Sequence, residues 1–307
     1  MSFLPLVYHV NYSIPFPSGH RFPMNKFAFL AEHLREKAIL TADNLFTPGP
    51  MSLDLLMRVH NADYVRRFVR GQLSSKELKE IGLPWSDWLV ERTLRAVSGT
   101  VLTSELALEY GIACHLAGGT HHAHPSHGSG FCIFNDLAVA AFSLLEQGKA
   151  KRIMIVDCDV HQGDGTACFF ADNQQVITVS WHCEDNYPQT KQVAGINIAI
   201  PKGATDALYQ SIIESTMPSL LEQYQPDFIF YDAGVDVHRD DRLGYVNLTD
   251  QGIFQRDFYI LKTCHEQAIP VAAVIGGGYD RDERVVAKRH SLVHQAAKQV
   301  LDLSSTS

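Results

Sequence analysis

Short apolar runs recur along this chain, each too brief for a helix and each followed by glycine, proline or acidic residues. Ile153-Met154-Ile155-Val156 is the clearest, and its unbroken apolar character predicts a strand buried on both faces, ended by Gly163 and Gly165. Runs at Leu4–Val10, Ile112–Leu116, Val176–Ser180, Ile196–Ile200, Phe228–Tyr231 and Val271–Ile275 predict further strands. Between them lie segments of helical spacing. One covers Lys26–Lys37, two short ones flank Val59-His60-Asn61 between Met51 and Arg70, and a longer one runs from about Trp85 to Tyr110, where Gly111 stops it. Others cover Asn135–Glu146, Asp206–Gln223 and Gln251–Gln267, and a last helix reaches about Leu301, leaving a DLSSTS tail expected to fray. Strands alternating with helices predict an α/β fold with a mainly parallel central sheet flanked by helices on both faces.

Composition narrows the class. The 307 residues are 46% hydrophobic, ample for a packed core, and no compositional shift marks a boundary, so residues 1–307 read as a single domain. With 26 basic against 34 acidic residues the formal net charge is -8, and no lysine or arginine run has the density of a nucleic-acid patch. That argues against direct nucleic-acid binding. The six cysteines form no C-x-x-C pair, and MSFLPLVYHVNYSIPF has neither the basic region nor the cleavage site of a secretory leader. No window approaches the roughly 18 apolar residues of a membrane span. A reduced, soluble, cytoplasmic protein is the expectation.

Four polar clusters, near His121, Asp159, Asp236 and Tyr279, each follow an apolar run. A parallel sheet places all four at its carboxyl edge, where ligands of open α/β sheets sit. Asp157, Asp159 and His161 leave their strand at alternating positions and so are expected to share one side, with Asp159 and His161 spaced as a metal-ligand pair. The plainer reading is a strand end whose Asp and His cap the next helix. A catalytic metal needs a third ligand; Asp236 in YDAGVD is the best candidate, Asp232 its competitor, and His238, Asp240 and Asp241 lie further into the loop. His121 and His122, in a glycine-rich loop, suit general acid/base work, whereas His124 and His127 read as surface or packing residues. Asp157 and Asp164 are available to orient imidazoles. The run Gly276-Gly277-Gly278 brings backbone, Gly277 included, close to the site and aims the Tyr279 phenol into it, where it can donate to a developing oxyanion. Metal, paired histidines with acidic partners and a phenol together point to metal-assisted hydrolysis of an amide or ester.

The segments GGTHHAHPSHGSGFCIFND, IVDCDVHQGDGTA, YDAGVDVHRDDRLG and GGGYD, in this order, resemble the zinc-dependent histone deacetylase superfamily, which includes acetoin-utilisation proteins and acetylpolyamine amidohydrolases. The resemblance covers roughly residues 5–300. GHRFPMNK and DVHRDDRLG look closest to the class IV branch and its bacterial relatives. The resemblance implies an arginase/deacetylase-like fold and Zn²⁺ held by Asp159, His161 and Asp236. His121 and His122 become the tandem catalytic histidines, oriented by Asp157 and Asp164, and Tyr279 polarises the substrate carbonyl. Gly130 and Phe131 line an acyl-lysine channel, with Gly277 beside the substrate and Tyr187 on the opposite wall. A structural K⁺ is implied at Asp157, Asp159, His161, Ser180 and Trp181. Two departures stand out. Gln162 occupies the place where many members have a second histidine, and the loop around Leu83–Asp87 supplies no clear counterpart to the family's acidic rim residue.

The expected substrate is an acetylated or longer-chain acylated lysine in a protein or peptide. Another small acylated amine, such as an acetylpolyamine, is the alternative. A non-catalytic module that recognises acylated ligands would show a missing histidine or tyrosine, and both are present. A two-metal ureohydrolase-like centre would require more ligands than one Asp-x-His and one further Asp supply.

Overall fold

The computed structural model describes residues 3–304, in which eight strands form one sheet. They are β1 (Leu6–Val7), β2 (Leu45–Phe46), β3 (Ile112–His115), β4 (Ile153–Asp157), β5 (Val176–Cys183), β6 (Ile196–Ile200), β7 (Phe228–Asp232) and β8 (Val271–Val274). Every pairing is parallel, in the order β2-β1-β3-β8-β7-β4-β5-β6. Ten helices surround the sheet: α1 (Lys26–Glu36), α2 (Leu53–Val59), α3 (Ala62–Val69), α4 (Ser75–Ile81), α5 (Asp87–Tyr110), α6 (Asp136–Glu146), α7 (Asp164–Phe169), α8 (Asp206–Tyr224), α9 (Asp250–Glu266) and α10 (Glu283–Ser304).

The unbroken apolar runs are explained by the two core layers. In β4, Met154 and Val156 join one layer while Ile153 and Ile155 join the other; Ile229 and Tyr231 of β7 alternate with Phe228 and Phe230 in the same way. One layer takes residues from α1, α8, α9 and α10, the other from α6 and the end of α5, so both sheet faces are covered. Each fully buried Phe or Ile on these strands contributes roughly 1.5–3 kcal/mol. Among the described residues no helix is long and apolar enough to cross a membrane.

The predicted helices and central strands are present within a few residues of their expected bounds. The first strand is shorter than expected, Leu6–Val7, because Val10–Tyr12 turns into a 3-10 helix. The two-residue strand β2 and the helix α4 were not expected. The last helix continues through Ser304, so the first part of the tail expected to fray is helical, and the rest lies outside the described residues.

Register sets up the site. Asp157, the last residue of β4, lies opposite Ser180 of β5 and Asp232 of β7. The carboxyl ends of β3, β4, β7 and β8 open at one edge, and the loops that leave them carry the four polar clusters.

Candidate active site

Beyond β4 the chain delivers Asp159 and His161, and beyond β7 it delivers Asp236. Their ligating atoms all lie within 4.8 Å of one another, and all three residues are buried. His161 Nδ1 is 3.0 Å from both Asp159 Oδ1 and Asp236 Oδ2. The remaining carboxylate oxygens accept backbone N–H groups, Asp236 Oδ1 from Val160 at 2.8 Å and Asp159 Oδ2 from Gly277 at 2.7 Å. Burial opposes charge on His161, yet the two carboxylates prevail and raise its pKa to about 10. Burial, with Asp159 beside it, pushes Asp236 up to about 6. Two carboxylates and an imidazole thus converge in a buried recess. This two-oxygen, one-nitrogen donor set fits a divalent ion of the zinc type. Gln162, where a second histidine was looked for, instead pins the 192–197 loop, donating to the Gln192 carbonyl at 2.8 Å.

A buried arginine on α9 fixes the spacing of this trio. Arg256 Nη1 donates to the Cys158 carbonyl at 3.0 Å and to the Gly234 carbonyl at 2.9 Å, tying together the two segments that bear the ligands.

The His121 and His122 rings lie 4.1 Å apart beside the trio. His121 Nδ1 is 2.8 Å from Asp157 Oδ2, and His122 Nδ1 is 2.6 Å from Asp164 Oδ1. Each ring therefore turns its Nε2 away from its carboxylate. Burial and the neighbouring His121 lower His122 to about 4. His121 moves the other way: burial opposes its charge, but Asp157 and Asp159 outweigh that and hold it well above the ordinary value. The environments thus push two adjacent imidazoles in opposite directions. Asp136, at the start of α6, holds their loop by accepting the backbone N–H groups of Gly119 at 3.1 Å and Thr120 at 2.7 Å.

Above these groups opens a cavity of about 800 Å³, whose lining includes His122, Gly130, Phe131, His161, Tyr187 and Tyr279. Tyr187 packs edge-on against His122, with ring centroids 4.9 Å apart. Gly130 and Phe131 both adopt left-handed backbone, φ 54° and 67°, and a Cβ at Gly130 would meet the His122 ring at 2.6 Å. Close approach of the backbone to the imidazole therefore requires glycine there. Burial, reinforced by Asp159 and Asp236, holds the Tyr279 phenol well above its ordinary pKa, so it stays a donor. A second cavity of about 50 Å³ lies deeper, bounded by Asp159, Gly277 and Tyr279 and by the buried cations Lys26 and Arg92.

The structure brings together His121, His122, Asp157, Asp159, His161, Asp164, Asp236 and Tyr279, and puts Gly130, Phe131 and Tyr187 on the cavity wall. Asp157 does not join the Asp159–His161–Asp236 trio; the strand ends at Asp157, whose carboxylate turns to His121. Asp232, the competitor for third ligand, groups with His121 and Asp157. Gly277 lies against the carboxylates of Asp159 and Asp236 and borders only the deeper cavity. Ser180 Oγ pairs with His182 Nδ1 at 3.0 Å, and the buried Trp181 donates its Nε1 to Thr216 at 3.0 Å. Asp87 opens α5 away from the cavity; the acids at the mouth are Glu80 and Asp185. Sequence reasoning missed Lys26, Arg92 and Asp136, and missed the clamp by Asp241, whose Oδ2 accepts the Tyr279 backbone N–H at 2.7 Å.

Comparison with known proteins agrees with this arrangement. A family model described as the histone deacetylase domain matches residues 20–296. An uncharacterized protein of Picosynechococcus sp. is 48% identical over 296 residues, covering 96% of this chain and 99% of its own. The acetoin utilization protein AcuC of Staphylococcus aureus is 29% identical, covering 91% of this chain and 77% of its own. Histone deacetylase 2 of Arabidopsis thaliana is 25% identical, covering 94% and 78%. The crystal structure of the HDA15 HD domain superposes with a TM-score of 0.79 at 21% identity, covering 98% of this chain and 92% of that one, a likeness of fold. A chain matched over nearly its whole length in this way, with the paired histidines and the acidic trio at one sheet edge, belongs to the histone deacetylase family.

Proposed function

We propose that this protein is a zinc-dependent amidohydrolase that removes acetyl or longer acyl groups from lysine side chains. The observation that carries the reading is the convergence, at one sheet edge, of an Asp-His-Asp trio, two Asp-backed imidazoles and a protonated phenol, of which His122, His161 and Tyr279 line the outer cavity. Asp159, His161 and Asp236 would hold the zinc, which when bound supplies Lewis acidity for the amide carbonyl and the attacking water. A structural K⁺ near Asp157, Asp159, His161, Ser180 and Trp181 belongs to the same reading. His122, kept neutral, accepts the proton of the attacking water at Nε2, and Asp164 on Nδ1 stabilises the imidazolium that forms. Tyr279 donates its O–H to the carbonyl oxygen as negative charge grows there. His121, backed by Asp157 at 2.8 Å, would return a proton to the leaving amine. Phe131 and Tyr187 flank the path that a neutral acyl-lysine stem would take.

The mouth favours lysine over a polyamine. Arg21 and Lys79 stand at the same rim as Glu80 and Asp185, so it offers no net negative charge to a polycation. The test is hydrolysis of acetyl-, trifluoroacetyl- and myristoyl-lysine peptides by zinc-loaded protein, with acetylspermidine as competitor. Turnover that falls about a hundredfold or more in Tyr279→Phe supports the mechanism. Zinc-loaded protein inert on all three peptides rules it out.

A further inference from the structure

Asp164 spends both carboxylate oxygens on histidines. Oδ1 lies 2.6 Å from His122 Nδ1, and Oδ2 lies 3.2 Å from His124 Nε2. His124, read from sequence as a surface or packing residue, is itself held in place. Its ring stacks on His127 with centroids 4.6 Å apart and planes within 5°, its backbone N–H donates to the His127 carbonyl at 2.9 Å, and its own carbonyl lies 3.1 Å from His60 Nδ1.

The two imidazoles of the site differ here. For His121, the second oxygen of the partner Asp157 accepts the backbone N–H of Asp159 at 3.0 Å, a donor that cannot rotate away. For His122, the partner Asp164 sits at the start of α7 with a side chain 10% exposed, and its second oxygen is fixed only by the His124 side chain among the described residues. A carboxylate bonded through one oxygen at the edge of solvent can turn about its terminal torsion and exchange that oxygen with water. A second donor on the other oxygen removes this freedom and fixes the plane in which His122 is held.

We infer that the base is a three-residue unit, His122–Asp164–His124, in which His124 is a positioning residue that locks the Asp164 carboxylate and through it the His122 ring. The inference rests on the reading of His122 as the proton acceptor. It requires His124 to matter in the transition state and not in substrate binding, since no part of it faces the cavity lining.

The experiment measures kcat and KM on an acetyl-lysine peptide, and zinc content, for the wild type, His124→Ala and His124→Gln, together with proton NMR of the metal-loaded proteins with labelled histidine. Glutamine places an amide N–H where His124 Nε2 stands. The expected result is a kcat about tenfold lower in His124→Ala with zinc content retained, a loss typical of groups that orient a catalytic histidine. KM should stay within about twofold, and His124→Gln should recover most of the loss. The downfield resonance of the His122 Nδ1 proton should move in the alanine variant and return in the glutamine variant. Unchanged kcat in His124→Ala, equal loss in both variants, or a resonance indifferent to His124 overturns the inference. Should the wild type hydrolyse no acyl-lysine, the deacylase reading falls while the resonance still decides whether the three residues act as one unit.

Discussion

Gly277→Ala tests how closely the site is built. Its backbone N–H already donates to Asp159 Oδ2 at 2.7 Å, and a Cβ there would lie 2.3 Å from Asp236 Oδ2 and 2.5 Å from Asp159 Oδ2. To reach even 3.0 Å, the Asp236 oxygen must retreat by about 0.7 Å, more than three times the roughly 0.2 Å latitude of a metal–ligand distance. Neither carboxylate can step aside cheaply, because Asp236 Oδ1 is bonded to the Val160 N–H and Asp159 Oδ1 to the His161 N–H. The methyl group therefore splays the two carboxylates. Zinc affinity is expected to fall about a hundredfold, equivalent to about 2.7 kcal/mol. Titration against a chromogenic chelator gives the number, and circular dichroism checks that the variant is folded. A folded Gly277→Ala that binds zinc as tightly as the wild type would show that these carboxylates do not hold the ion.

Two further predictions concern separate groups. Asp157→Asn is expected to keep its zinc yet lose about tenfold to a hundredfold in kcat, whereas Asp159→Asn is expected to lose the metal itself; metal analysis beside steady-state kinetics separates them, and equal zinc loss in both would contradict the division of roles. Acid should destabilise the fold early. Burial lowers His60 to about 4, His115 to about 3 and His294 to about 4. The unfolded chain takes up these protons first, near pH 6.5, so stability is complete above that value and declines as pH falls toward 4. Each histidine costs roughly 1.4 kcal/mol per pH unit in that window, opposed by Asp236 and Asp241, whose carboxyls burial raises to about 6 and about 7 and which stabilise the fold as pH falls. A wild-type urea midpoint that falls no further between pH 7 and pH 5 than that of His294→Gln would refute this.

Much of the molecule was legible because its signals are local. β4 and β7 announce themselves by unbroken apolar runs, since both faces of a parallel sheet are covered and alternation is not needed. His121, Asp159, Asp236 and Tyr279 were found because each follows such a run, and parallel topology brings their loops to one edge. The shape of the chain past a strand end was not legible. Alternation holds only while the backbone stays extended, and β4 stops at Asp157, which is why that residue faces a histidine and not the trio. Lys26 and Arg92 look like solvated positions on amphipathic helices until tertiary packing buries them. Asp136 looks like any acid in a first helical turn, and its role as the anchor of Gly119 and Thr120 appears only when α6 is docked. The helix α4 did leave a sign, Ser74 three residues before Glu77, and the two form a capping box in the structure.

Arg256 ties the Cys158 and Gly234 carbonyls from a position about a hundred residues from one and about twenty from the other. On these two segments its partners are backbone groups, indifferent to the side chains those residues carry, while Asp257 holds the guanidinium itself. The distance between the two ligand-bearing segments is therefore set in part by the scaffold, beside the Val160 N–H that Asp236 Oδ1 accepts. A change of side chain on either segment leaves that tie intact, except at Gly234, where a Cβ would lie 2.6 Å from the Asp159 carboxylate. Loss of that one guanidinium would instead release both segments together, whatever residues they had come to bear.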